Sequence, residues 1–167
     1  MGQVTFKGNV IHTAGSVPAV GSKAPDFTLT GTDLSDVKCT SFKGRNVVLN
    51  IFPSIDTPVC AASVKRFNQE AATLADTVVL CVSVDLPFAH GRFCEAEGIK
   101  NVQAVSAFRS PGFGDDYGVR ITGSALAGLF ARAIVIIGKD GLVKYTQLVP
   151  EIAQDPDFAA AIRALKA

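Results

Sequence analysis

No run of apolar residues in this chain approaches the ~20 needed to cross a bilayer, so no membrane-spanning helix is expected. Its first residues, Met1-Gly2-Gln3-Val4-Thr5-Phe6, have neither the basic start nor the apolar core of a signal peptide. Phe6 also breaks the myristoylation pattern. Cysteine is sparse. The four present, Cys39, Cys60, Cys81 and Cys94, are too few for a secreted disulfide scaffold of 167 residues, and a cytoplasmic, reducing location is expected. No two of them stand as Cys-x-x-Cys, which excludes a dithiol oxidoreductase built on that spacing. No Lys/Arg run interleaves with aromatics, and 16 basic residues nearly balance 15 acidic ones, so nucleic acid is not an expected partner. The glycine patterns that cradle phosphates or dinucleotides are missing, and His12 and His90 have no partner at metal-ligand spacing. No cofactor is expected.

What the chain does have is apolar material. At 48% hydrophobic, 167 residues can bury a core without staples, and no linker interrupts them, so residues 1–167 are read as one domain. Val4–Lys7 and Val10–Thr13 flank Gly8-Asn9, a hairpin signal. Val47–Phe52 and Thr77–Val84 are nearly continuous apolar runs, as strands covered on both faces require. Between them Cys60, Val64, Phe67, Ala71 and Leu74 recur at helical spacing. Pro87–Glu97 reads as a second helix closed by Gly98, with Ala89, Phe93 and Ala96 on its inner face. Val102–Ala107 is a third strand, and Ala131–Ile137 and Leu142–Val149 form a second hairpin around Gly138–Gly141. Asp155-Pro156 starts a last helix with Phe158, Ile162 and Leu165 on its apolar face. The order implies an α/β fold, a mixed central sheet flanked by helices with an N-terminal β-hairpin extension.

The segment Pro53-Ser54-Ile55-Asp56-Thr57-Pro58-Val59-Cys60 decides the chemistry. Thr57 has the side chain of an N-cap, and Pro58 suits the first helical position because its missing N–H needs no partner there. Cys60 then falls in the first turn, where unpaired N–H groups and the positive end of the helix dipole favour a thiolate. Its place on the apolar stripe is also that of an ordinary buried cysteine; the Thr-Pro-x-Cys start tips the reading to a nucleophile. Cys94, at the edge of the second helix, is the natural candidate for a resolving thiol beside a reactive Cys60. Cys81 lies in a core strand and reads as structural, and Cys39 as incidental. Arg132 interrupts Leu129–Val135, either at a solvated strand end or aimed into a site that needs fixed positive charge. The Thr57 hydroxyl is either a cap or a donor to the sulfur or a substrate oxygen.

Pro-x-x-x-Thr-x-x-Cys at a helix start is the signature of the peroxiredoxins. Leu49–Thr57, Val59–Val64, Asp85–Ala89 with Arg92-Phe93-Cys94, and Ala131-Arg132-Ala133 resemble the bacterial thiol peroxidases, the atypical two-cysteine group of that family. The resemblance spans nearly the whole chain. It implies a thioredoxin-like fold, a homodimer, and reduction of hydrogen peroxide and organic hydroperoxides with thioredoxin as reductant. It further implies that Cys60 is peroxidatic, that Cys94 resolves it through a Cys60–Cys94 disulfide, that Thr57 and Arg132 orient the peroxide, and that Pro53 shields the site.

Overall fold

The computed structural model describes residues 2–167. An antiparallel hairpin, β1 (Gln3–Phe6) and β2 (Asn9–His12), comes first. Its turn centres on Lys7-Gly8, one residue before the Gly8-Asn9 expected from sequence. Lys7 and Gly8 both take positive φ, 51° and 81°, and Asn9 is already paired with Phe6. Two positive φ angles in a row give the turn whose twist matches the strands it joins. Two short strands, β3 (Thr28–Gly31) and β4 (Asp36–Lys38), precede the alternating segment β5 (Asn46–Ile51), α1 (Pro58–Ala71), β6 (Thr77–Ser83), α2 (Pro87–Glu97) and β7 (Gln103–Ser106). After a short helix, α3 (Gly112–Asp116), the hairpin β8 (Ala133–Ile137) and β9 (Val143–Leu148) leads to α4 (Phe158–Lys166).

Seven strands form one sheet in the order β4-β3-β7-β6-β5-β8-β9. β5, β6 and β7 are parallel and the outer pairings antiparallel, which is the mixed sheet the apolar runs imply. Because β5, β6 and β7 follow one another across the sheet, right-handed crossovers put α1 and α2 on the same face. Alternation along β5 sends Val47, Leu49 and Ile51 to a cluster with Phe27, Phe113, Tyr117 and Phe130, and Val48 to the other face. There it meets Cys60, Val64 and Phe67 of α1, Phe93 of α2, and Ala161 and Leu165 of α4. The N-terminal hairpin packs Val4 and Ile11 against Ile121, Ala131 and Ile152, beside the end of the sheet that carries Arg132.

Helix ends follow local chemistry, with two departures from expectation. α2 stops at Gly98, whose φ of 65° lets its N–H turn back onto the carbonyls of Cys94 and Glu95. Its buried residues are Pro87, His90 and Phe93, whereas Ala96 is exposed and Ala89 only partly covered. His90 supplies the bulk at that position, so the inner face lies rotated from the one read off the alanines. α4 begins two residues later than Asp155-Pro156 suggests, because Asp157 is its N-cap: the carboxylate accepts from the Ala160 N–H at 2.9 Å.

Candidate active site

β5 and β6 are parallel, so both end at the same edge of the sheet, where the segments leaving them meet. Phe52 continues the ladder by donating to the Val82 carbonyl at 3.1 Å, and Pro53 is buried immediately beyond it. The chain then turns through Ser54–Thr57 into α1. Thr57 has the extended backbone of an N-cap (φ −103°, ψ 146°) and Pro58 fills the first helical position. The Thr57 hydroxyl, however, does not cap the helix. It donates to the Ser54 carbonyl at 3.0 Å, alongside the Thr57 N–H at 3.2 Å. The first backbone bond of α1 is Ala61 N–H to the Thr57 carbonyl, 3.0 Å, so the Val59 and Cys60 amides precede the ladder. Cys60 sits among those amides and is fully buried.

Arg132 resolves in favour of the site. Antiparallel register pairs Ile51 with Ala133, which sets Arg132 beside the point where β5 ends. Its side chain is 1% exposed. Nε donates to the Ile152 carbonyl at 2.9 Å and Nη2 to Cys60 Sγ at 3.2 Å. Nη1 is buried with no hydrogen-bond partner among the described residues. Nor does Arg132 join any ion pair to a carboxylate among them. A guanidinium is always charged, and a buried charge without a counter-charge is costly. The side chain its Nη2 touches is Cys60, through the sulfur.

The other cysteines differ in kind. All four are free thiols. Cys94 is half-buried on α2 and packs against the same apolar cluster as Cys60. Burial holds its thiol above the ordinary cysteine range. Cys81, in mid-strand β6, is wholly enclosed and its pKa is pushed up to about 12, mainly by burial, with the Asn50 hydrogen bond opposing. That sulfur is inert at neutral pH. Cys39 is half-buried and lines a cavity of about 310 Å³ with Phe42, Val47 and Ile137. Those residues lie where β5 begins and β8 ends, the opposite edge from Cys60.

Sequence reasoning left out two polar networks around the site. Asp85 leaves β6 next to the Ser54–Thr57 turn, accepts from the Ile55 N–H and the Ser54 hydroxyl, each at 2.8 Å, and is also bonded by the Ser83 hydroxyl. Under α1, Asn50 donates to Ser63 Oγ at 3.3 Å and lies 3.7 Å from Cys81 Sγ, while Ser63 donates to the Cys60 carbonyl at 2.8 Å. The signal was present: Asn50, Ser83 and Asp85 are the polar residues that interrupt or end two otherwise apolar strands.

Comparison with known proteins bears on the family and the fold. A family model described as Redoxin matches residues 19–162. A curated thiol peroxidase from Mycobacterium tuberculosis is 60% identical over 167 residues, covering all of both chains. One from Corynebacterium glutamicum is 53% identical over 165 residues, covering 99% of each. The chain belongs to the thiol peroxidase branch of the redoxin family. Among solved structures, a peroxiredoxin-like protein from Aquifex aeolicus superposes with a TM-score of 0.94 at 40% identity, covering 98% of this chain and 95% of its own. This thiol peroxidase family member therefore has the thioredoxin-like fold, carrying the N-terminal hairpin described above.

Proposed function

We propose that Cys60 is the peroxidatic cysteine of this thiol-dependent peroxidase and Cys94 its resolving partner. The observation that carries the reading is the buried Arg132 guanidinium, 3.2 Å from Cys60 Sγ at a helix N-terminus. The Cys60 thiolate attacks one peroxide oxygen. The S–O bond forms as the O–O bond breaks, and the departing oxygen takes a proton to leave as water or an alcohol, with sulfur oxidised to sulfenic acid. Thiolate character alone does not make this fast, because nucleophilicity falls as the anion is stabilised. Donors must meet the charge on the departing oxygen; the partnerless Arg132 Nη1 and the first-turn amides supply them, and the Thr57 hydroxyl joins them by rotating away from the Ser54 carbonyl. Pro53, buried beside them, keeps bulk water from the sulfur.

The Cys94 sulfur then displaces the sulfenic hydroxyl as water, forming the Cys60–Cys94 disulfide, and thioredoxin reopens it by dithiol exchange. A disulfide needs Cα atoms within about 7 Å, and these cysteines start in two separate helices. The first turn of α1 and part of α2 therefore open in each cycle. Full burial of Cys60 supports the same step, since the closed site offers the sulfur no accessible surface. Thioredoxin as reductant, the breadth of hydroperoxide substrates, homodimeric assembly, cytoplasmic location and a single 1–167 domain are supported by the resemblance and the composition.

The test is peroxide consumption coupled to thioredoxin, its reductase and NADPH. Cys60→Ser is expected to be inactive, Cys94→Ser to give one turnover without recycling, and Cys81→Ser to run at near-normal rates. Full recycling by Cys94→Ser overturns the resolving assignment, and turnover by Cys60→Ser overturns the whole reading.

A further inference from the structure

A chain of hydrogen bonds runs from the core of α2 to the turn that carries Thr57. His90, fully buried in α2 one helical turn before Cys94, has Nε2 at 3.0 Å from Ser83 Oγ. The Ser83 hydroxyl has one proton, and Asp85 Oδ2 takes it. Ser83 Oγ is then an acceptor toward both the Asp85 N–H, at 3.1 Å, and His90. His90 must accordingly be the Nε2–H tautomer, donating to Ser83. Asp85 in turn holds the Ile55 N–H and the Ser54 hydroxyl, and Ser54 receives Thr57 through its carbonyl. Burial pushes the His90 pKa down, against the pull of Asp85 and Asp56, which keeps the ring in this neutral, single-donor form.

We propose that His90, Ser83 and Asp85 are positioning residues that tie the Cys60-bearing turn to the Cys94-bearing helix, so that the two open as one event. The proposal rests on the reading that these segments open during turnover. The geometry favours it because Asp85 is the shared anchor. The same carboxylate that closes the Ser54–Thr57 turn is oriented by the hydroxyl that α2 holds through His90. Pulling α2 away removes the Ser83 orientation, and releasing the turn leaves Asp85 with two unmet bonds. Either loss lowers the cost of the other. The ion pair between Asp56 and Arg92, 3.1 Å, spans the same two segments at the surface, but both side chains are more than 60% exposed and the link is weak.

Hydrogen exchange on the reduced protein, without peroxide, tests this independently of catalysis. If the peroxidase reading fails, the coupled assay shows it while the exchange result stands on its own. In Ser83→Ala, exchange in residues 53–60 and 87–97 is expected to accelerate by a common factor of about tenfold, with β5 and β8 unchanged. His90→Leu is expected to do the same. His90→Gln retains an amide donor where Nε2–H stood and is expected to restore wild-type exchange in both segments. Acceleration confined to 87–97, acceleration shared by β5 and β8, or a His90→Gln protein as fast as His90→Leu overturns the proposal. In quench-flow, disulfide formation in Ser83→Ala is expected to quicken by the same factor, and an unchanged rate counts against coupling.

Discussion

The most direct consequence of the site is energetic, and it concerns Cys60 and Arg132 as a pair. If the sulfur is the counter-charge of the buried guanidinium, replacing it by a neutral group strands a cation in the core. Breaking a buried pair from one side costs about 3–5 kcal/mol. Serine at position 60 keeps a hydroxyl that accepts from Nη2, so the expected cost of Cys60→Ser lies near the lower end, about 3 kcal/mol. With Arg132→Met already in place there is no cation to strand, and the same Cys60→Ser change should cost under about 1 kcal/mol. Arg132→Met also leaves the Ile152 carbonyl without its donor, but that loss is common to both Met-containing proteins and cancels from the cycle. Four proteins suffice: wild type, the two single variants and the double. Urea unfolding at neutral pH, under reducing conditions and at one protomer concentration, gives the coupling. A coupling of about 2 kcal/mol supports the charge pair. Additivity within about 0.5 kcal/mol refutes it, and with it the argument that Arg132 holds the sulfur as an anion.

Two further outcomes follow from the geometry. Because the Thr57 hydroxyl bonds the Ser54 carbonyl and not a helix amide, Thr57→Val should cost less than the ~1 kcal/mol typical of a lost cap, while slowing single-turnover oxidation of Cys60 by about 10²-fold. A large drop in melting temperature with an unchanged rate would invert that assignment. Cys81 carries a thiol raised from 9.0 to about 12 in the fold, so its contribution to stability is complete below pH 9.0 and is lost as pH rises from there toward about 12. The full gap is worth roughly 4 kcal/mol, so Cys81→Ala should show a flatter alkaline decline than wild type in denaturant titrations across that window.

The parts of the fold written in runs of residues were legible. Val47–Phe52 and Thr77–Val84 announced strands covered on both faces, and the stripe through Cys60, Val64 and Phe67 announced a buried helix face between them. The Thr-Pro start fixed the first turn of α1 correctly even though the Thr57 side chain bonds elsewhere. Choices between adjacent residues were not legible. Lys7-Gly8 against Gly8-Asn9, and Asp157 against Asp155, depend on backbone angles that several sequences tolerate. The destination of Arg132 was open for a different reason. It depends on the register between β5 and β8, a pairing of residues some eighty positions apart that no local pattern encodes. Asp85 was missed because an acidic residue after a strand normally means solvent; only the meeting of two parallel strand ends turns it inward.

A buried nucleophile must still be reached and then released, and the unequal anchoring of the two partners shows how. Arg132 is fixed from behind by its 2.9 Å bond to Ile152, and its backbone carbonyl accepts from Val149 at 2.9 Å. The turn carrying Cys60 is held by Asp85 at Ser54 and Ile55, but its helical end faces solvent. Pro58 offers no N–H, no side chain caps the helix, and Thr57, Pro58 and Asp56 are all exposed. On the proposed chemistry the cation stays put and the sulfur moves. Oxidation converts a thiolate to an uncharged sulfenic acid, which cancels the charge pair and leaves that first turn to its remaining bonds, those of Asp85 to Ile55 and Ser54 among them. The covalent step that consumes peroxide thus loosens the segment that must next travel to Cys94. Exchange at the amides of residues 59–61 should accordingly be faster in Cys94→Ser protein trapped as the sulfenic acid than in the same variant reduced, by about tenfold or more. Equal protection in the two states would mean that opening is independent of oxidation, and that Arg132 serves the attack on peroxide without governing the release.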